Sequence, residues 1–86
     1  MPKVSEFFGI AIYFYYNDHN PPHFHARYAG ADSVYEIESL RVLEGNPSPR
    51  ANGLVVEWAA QHREDLRRAW QQARAGQPIS WIEPLT

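Results

Sequence analysis

The chain has 86 residues, a formal charge of −2 and no cysteine, which excludes disulfides, thiolate metal sites and a cysteine nucleophile. The slightly acidic balance argues against a basic nucleic-acid coat, so any nucleic-acid contact must be local. A chain this short buries a modest share of its surface, and three Trp, five Tyr and four Phe supply a dense aromatic core.

The first residues, Met1-Pro2-Lys3-Val4-Ser5-Glu6, lack the basic and apolar regions of a secretory leader, and the longest apolar run, Ile10 to Tyr16, is too short to cross a bilayer. The expectation is one soluble domain over residues 1–86, cytoplasmic and without membrane contact.

In chain order, Gly9 to Tyr16 is β-branched and aromatic and reads as a strand, stopped by the loop Asn17-Asp18-His19-Asn20-Pro21-Pro22. From His23 to Ala29 the pattern alternates, with Phe24, Ala26 and Tyr28 on a core face and His23, His25 and Arg27 opposite. A turn at Gly30-Ala31-Asp32 leads to a third strand, Ser33 to Glu38, in which Tyr35 and Ile37 face the core. Arg41 to Leu43 adds a short fourth strand before Gly45-Asn46-Pro47 breaks the pattern.

Ser48 followed by Pro49 reads as an N-cap and first helical position, since Pro lacks an N–H that would be unpaired there anyway. Val55, Trp58, His62, Leu66, Ala69 and Ala73 then form one apolar stripe, ended by Gly76 and Pro78. Gly53 and the acids of Arg63-Glu64-Asp65 favour a break near His62. Trp58, Trp70 and Trp81 are assigned to the core, His62 to a partly buried position, and Ile79 to Ile82 to a final strand that lays Trp81 or Ile82 on the sheet. The fold class is therefore α+β: a small antiparallel sheet of three to five strands, packed on one face by one kinked or two C-terminal helices.

The histidine segment carries the chemistry. Period-two geometry sets His23, His25 and Arg27 in a row, and strand pairing brings Glu36 and Glu38 to the same face, with Tyr13 or Tyr15 approaching from the other side. Pro21 and Pro22 stiffen the loop and can return Asp18 and His19 toward the strand. Three readings stay open. His23 and His25 can act as general acid and base with Arg27 stabilising a phosphorane-like state, a set suited to RNA cleavage through its own 2′-hydroxyl. Alternatively, His19, His23 and His25 with Asp18 can hold zinc or another divalent metal, although no cofactor is required. In the third, these side chains merely solvate an outer sheet face or form a contact surface. Arg63, Arg67, Gln71 and Arg74 share a helix side, but the nearby acids, including a Glu64–Arg68 pair, make it a solvated face.

Ser5-x-Phe7-Phe8-Gly9-Ile10, the segment Asn17 to His25, Leu43-Glu44-Gly45, Glu57-Trp58 with His62-Arg63, and Trp70 through Ala75-Gly76 together resemble the bacterial domain-of-unknown-function family 4160 (DUF4160). The resemblance spans nearly the whole chain and is most specific in the histidine segment. It implies a small prokaryotic protein often encoded beside another short protein, similar to toxin–antitoxin pairs, and hence a small protein partner. It supplies no catalytic residues. On this basis the sequence points to a toxin–antitoxin-like component with RNA-directed activity through His23, His25 and Arg27, or else to a non-catalytic binding or regulatory module, or to a metal-binding protein. Whether the chain is an enzyme is left open.

Overall fold

A computed structural model, describing residues 2–86, places five strands in one antiparallel sheet ordered as they occur in the chain. Strand β1 (Lys3–Phe7) turns into β2 (Ile10–Tyr13) through Phe8 and Gly9, both at positive φ, which is the backbone twist a two-residue hairpin needs. The first strand of the sequence reading, Gly9 to Tyr16, is thus the later half of a hairpin and stops at Tyr13, and the earlier half, β1, lies outside that reading. Strand β3 (His23–Tyr28) follows the loop, and β4 (Ala31–Glu36) returns through a tight turn at Ala29-Gly30.

The third predicted strand is displaced by two residues. Ala31 and Asp32 pair with Tyr28 and Arg27, and the strand stops at Glu36, where Leu40 N–H bonds back to the Glu36 carbonyl. Glu38 therefore lies in a turn rather than on the sheet. Strand β5 (Val42–Glu44) completes the sheet.

Helix α1 (Pro49–Gln61) starts as expected: the Ser48 hydroxyl accepts from Ala51 N–H at 3.2 Å, and Pro49 occupies the first turn. Gly53 does not interrupt it. Beside it, Asn52 accepts a 2.9 Å hydrogen bond from the buried Tyr35 hydroxyl, which ties the weak helix-forming pair to the sheet. The chain breaks at His62, whose φ of −130° is not helical, and restarts as α2 (Arg63–Arg74), with Glu64 and Asp65 against its positive N-terminal end. Gly76, at φ 69°, ends it. Two helices result.

The core lies between the helices and one sheet face, where Ile10, Ile12, Phe24 and Tyr35 meet Val55, Trp58 and Leu66. Trp58 is fully buried between Phe7 and Phe24, at ring separations of 5.1 and 5.9 Å. Trp70 is buried as well, but Trp81 is 56% exposed and leaves the core to Ile82. No strand forms over Ile79 to Ile82. Ile82 N–H reaches the Val4 carbonyl at 2.8 Å, yet Ser80 N–H is taken by the Gln72 side chain and Pro84 has no N–H to offer, so a second rung cannot follow.

Two of the helical arginines are paired, with other partners than the i,i+4 pattern suggested, while Arg63 Nε is buried without a hydrogen-bond partner and Arg74 lies over the Trp70 ring. Arg67 binds Glu38 through two 2.8 Å hydrogen bonds and also meets Glu64, while Arg68 meets Asp65. Among the described residues no helix is long and apolar enough to cross a membrane.

Candidate functional site

The sheet face away from the main core carries the histidines. His23 and His25 share one side of β3, opposite Phe24 and Ala26, because side chains alternate along a strand. Asp18 is folded back over them by the loop that ends in Pro21 and Pro22, with a cis Asn20–Pro21 peptide. One carboxylate oxygen, Asp18 Oδ2, lies 2.8 Å from His23 Nε2 and 3.3 Å from His25 Nε2.

The surroundings fix each ring. Tyr15 stacks on His25 at 4.1 Å, with planes 8° apart. Trp70 of α2 packs 5.1 Å from the His23 ring, and Asn17 N–H reaches the Ala73 carbonyl at 3.4 Å, so α2 closes one side. As a result His23 is buried and His25 half-buried, although both stand on the face of β3 opposite the core, as alternation requires. The cause is this cover of loop and helix, which no strand pattern reports.

Asp18 is held by opposing effects. Its partial burial pushes the carboxyl up, but the His19 N–H at 2.9 Å and the hydrogen bonds from His25 and His23 outweigh this, and the group lies below its ordinary 3.8. His19 itself is an exposed loop side chain, 86% accessible, with Nδ1 3.1 Å from the other Asp18 oxygen.

The tautomer of His23 follows from its partners. Its Nδ1 lies 2.7 Å from the Pro21 carbonyl, which can only accept, so Nδ1 carries a proton and donates it. In a neutral ring Nε2 then holds a lone pair aimed at the Asp18 carboxylate. Two lone pairs cannot sit 2.8 Å apart unaided; a second proton or a cation must lie between them.

Of the other expected site residues, Glu36 is the strand partner of His23, but its carboxylate accepts from Ser39 and lies 3.7 Å from Arg41. Glu38 is away from the site on Arg67, a correction that follows from the early end of β4. Tyr13 sits opposite His25 on β2 but does not line the cavity. Arg27 shares the strand, yet both its Nε and an Nη bond Asp32, at 2.8 and 3.1 Å. The structure thus gathers Asp18, His19, His23, His25 and Tyr15, and leaves Arg27, Glu36 and Glu38 engaged elsewhere.

A cavity of about 310 Å³ opens beside the cluster, bounded across from Asp18 by Val34, Leu43 and Glu44. Glu44 was not a sequence candidate: the fourth strand was placed over Arg41 to Leu43, one residue early, and a bulge in the β4–β5 pairing hides the register. A second cavity, about 270 Å³, lies near Tyr28 and the start of α1 but gathers no titratable cluster. Its Tyr35 hydroxyl, pushed up to about 12 by burial, already donates to Asn52.

A family model, Domain of unknown function (DUF4160), matches residues 9–71, which include every member of the cluster. No curated protein and no solved structure matches the chain.

Proposed function

The chain belongs to the DUF4160 family, a domain of unknown function, and we propose that it is a metal-binding protein in which Asp18, His23 and His25 hold one divalent ion of the zinc class. The carrying observation is the His23 ring, whose outer N–H is spent on the Pro21 carbonyl while Nε2 faces a carboxylate. That is how metal-ligating histidines are commonly oriented, with the far nitrogen fixed by a backbone carbonyl.

Distances support the reading. Zinc bonds of ~2.0–2.1 Å at tetrahedral angles place ligand atoms about 3.3 Å apart, and the Asp18 separations of 2.8 and 3.3 Å need little adjustment. All three ligand atoms lie within 4.8 Å of one another, and a single ion at ~2.1 Å from each draws the widest pair together toward about 3.3 Å. His19 meets the other Asp18 oxygen, Oδ1, and falls outside the group of three, so the fourth position stays with water. Two histidines and one carboxylate also suit non-haem Fe(II), so competition between the two ions decides the preference.

The RNA-directed reading loses its cation, because Arg27 is committed to Asp32. A toxin–antitoxin-like role with a small protein partner rests on the family resemblance, and no contact within the cluster argues for it.

Zinc titrated into the purified chain is expected to bind at one ion per chain. The measured heat should vary with the ionisation enthalpy of the buffer, since the ion displaces a proton from between Nε2 and the carboxylate. His25→Ala is expected to weaken binding by more than the ~10–100-fold that loss of an outer partner costs. The absence of saturable binding, or binding that survives His25→Ala, would overturn this function.

A further inference from the structure

We propose that Glu44 is the proton acceptor for a water held at the cluster, making the site hydrolytic toward small uncharged esters or amides. This rests on the metal reading above. Strand register carries the argument: His25 pairs with Val34 and Val34 with Glu44, so the three stand in a row across β3, β4 and β5 on one face. Glu44 lines the same cavity as Asp18, His23 and His25.

Two strand spacings of about 4.8 Å separate the backbones at His25 and Glu44. A metal–nitrogen bond of ~2.1 Å, a metal–water bond of about the same length and a water–carboxylate hydrogen bond of about 2.7 Å span most of such a gap, and side chains that line one cavity close the remainder. The carboxylate is free for this role. Among the described residues no Lys or Arg pairs with Glu44, unlike Asp32, Glu36 and Glu38. Its backbone is also fixed: Gly45 has φ +91°, and a Cβ there would lie 2.5 Å from the Asp32 carbonyl, so the end of β5 is packed directly on β4.

Charge selects the substrate. The cavity has no Lys or Arg in its lining, and the two carboxylates of Asp18 and Glu44 are balanced by one divalent ion. A phosphate ester would add unbalanced negative charge, whereas an uncharged acyl group would not. The apolar walls formed by Val34, Leu43 and Tyr15 fit such a group, and about 310 Å³ limits it to a small one. In the reaction Glu44 takes a proton from water, the water oxygen bonds to the acyl carbon, and the carbon–oxygen or carbon–nitrogen bond to the leaving group breaks. Glu44 returns the proton to the departing alcohol or amine, and the other product is a carboxylic acid.

The test measures hydrolysis of 4-nitrophenyl acetate by zinc-loaded protein, with zinc content and folding checked in each variant. Glu44→Gln is expected to bind zinc within about twofold of wild type but to lose ~100-fold or more in kcat, the usual contribution of a positioned base. Glu44→Asp should restore part of the rate. Wild type that holds zinc without hydrolysis, or zinc-loaded Glu44→Gln as fast as wild type, overturns this inference alone. Wild type that takes up no zinc overturns the metal reading with it.

Discussion

Asp18→Asn is expected to lower zinc affinity more than about 100-fold, equivalent to ~2.8 kcal/mol, while leaving the fold intact. The two effects separate because Asn keeps the shape of Asp and loses its charge. An Asn amide can donate to a neutral His23 Nε2, in place of the proton that lies between this nitrogen and the carboxylate in the metal-free native chain, and its oxygen can still accept from His19 N–H. Metal competition with a chromogenic chelator reads the affinity, and thermal unfolding of the metal-free protein reads the fold. Wild-type affinity in this variant would remove Asp18 from the ligand set.

The same variant separates an acid dependence. The Asp18 carboxyl is depressed on folding, so its contribution to stability is fully present above the unfolded value and is lost as pH falls through the lower, folded one. Metal-free Asp18→Asn is expected to lack that part of the acid-induced loss.

Trp58→Ala carries the largest expected cost in stability, about 3–5 kcal/mol, against a total of ~5–15 kcal/mol for an ordinary domain. Trp58 is fully buried, touches Phe7 and Phe24, and sends its indole N–H to the Glu83 carbonyl at 2.8 Å. Truncation removes apolar contacts from both layers and releases the C-terminal segment. Trp58→Phe keeps most of the ring and loses the hydrogen bond, so a smaller cost of about 1–2 kcal/mol is expected. Denaturant titrations followed by circular dichroism compare them. Equal costs for the two variants would mean that the tail contact, rather than core volume, dominates.

Local chemistry made much of this molecule legible. The Ser48-Pro49 start, the break at His62 and the stop at Gly76 were readable because each depends on a few adjacent residues. The opposed faces of Phe24 and His25 followed from alternation, and the return of Asp18 from the stiff loop. What escaped depends on partners distant in sequence. Strand β1 was hidden because its hairpin turns on Phe8-Gly9 rather than on an Asn-Gly or Asp-Gly pair. Arg27 looked like a site cation until its pairing with Asp32 was visible, and Glu38 until its turn delivered it to Arg67. Glu44 depended on a bulge, and Trp81 on which of two neighbours the tail turns inward.

Each strand hydrogen-bonds to its neighbour in the chain, and the two helices follow in turn. Such pairings close short loops, which carry a small entropic barrier and favour rapid folding. The contact of Ile82 with Val4 is different, since it draws together segments at opposite ends of the described chain, and that of Glu83 with Trp58 fixes the same tail on α1. Ordering that segment restricts a chain already collapsed, so it belongs after the rate-limiting barrier. Ile82→Ala is accordingly expected to speed unfolding and to leave the refolding rate nearly unchanged in stopped-flow measurements. Refolding slowed in proportion to the lost stability would instead place this clasp in the folding nucleus.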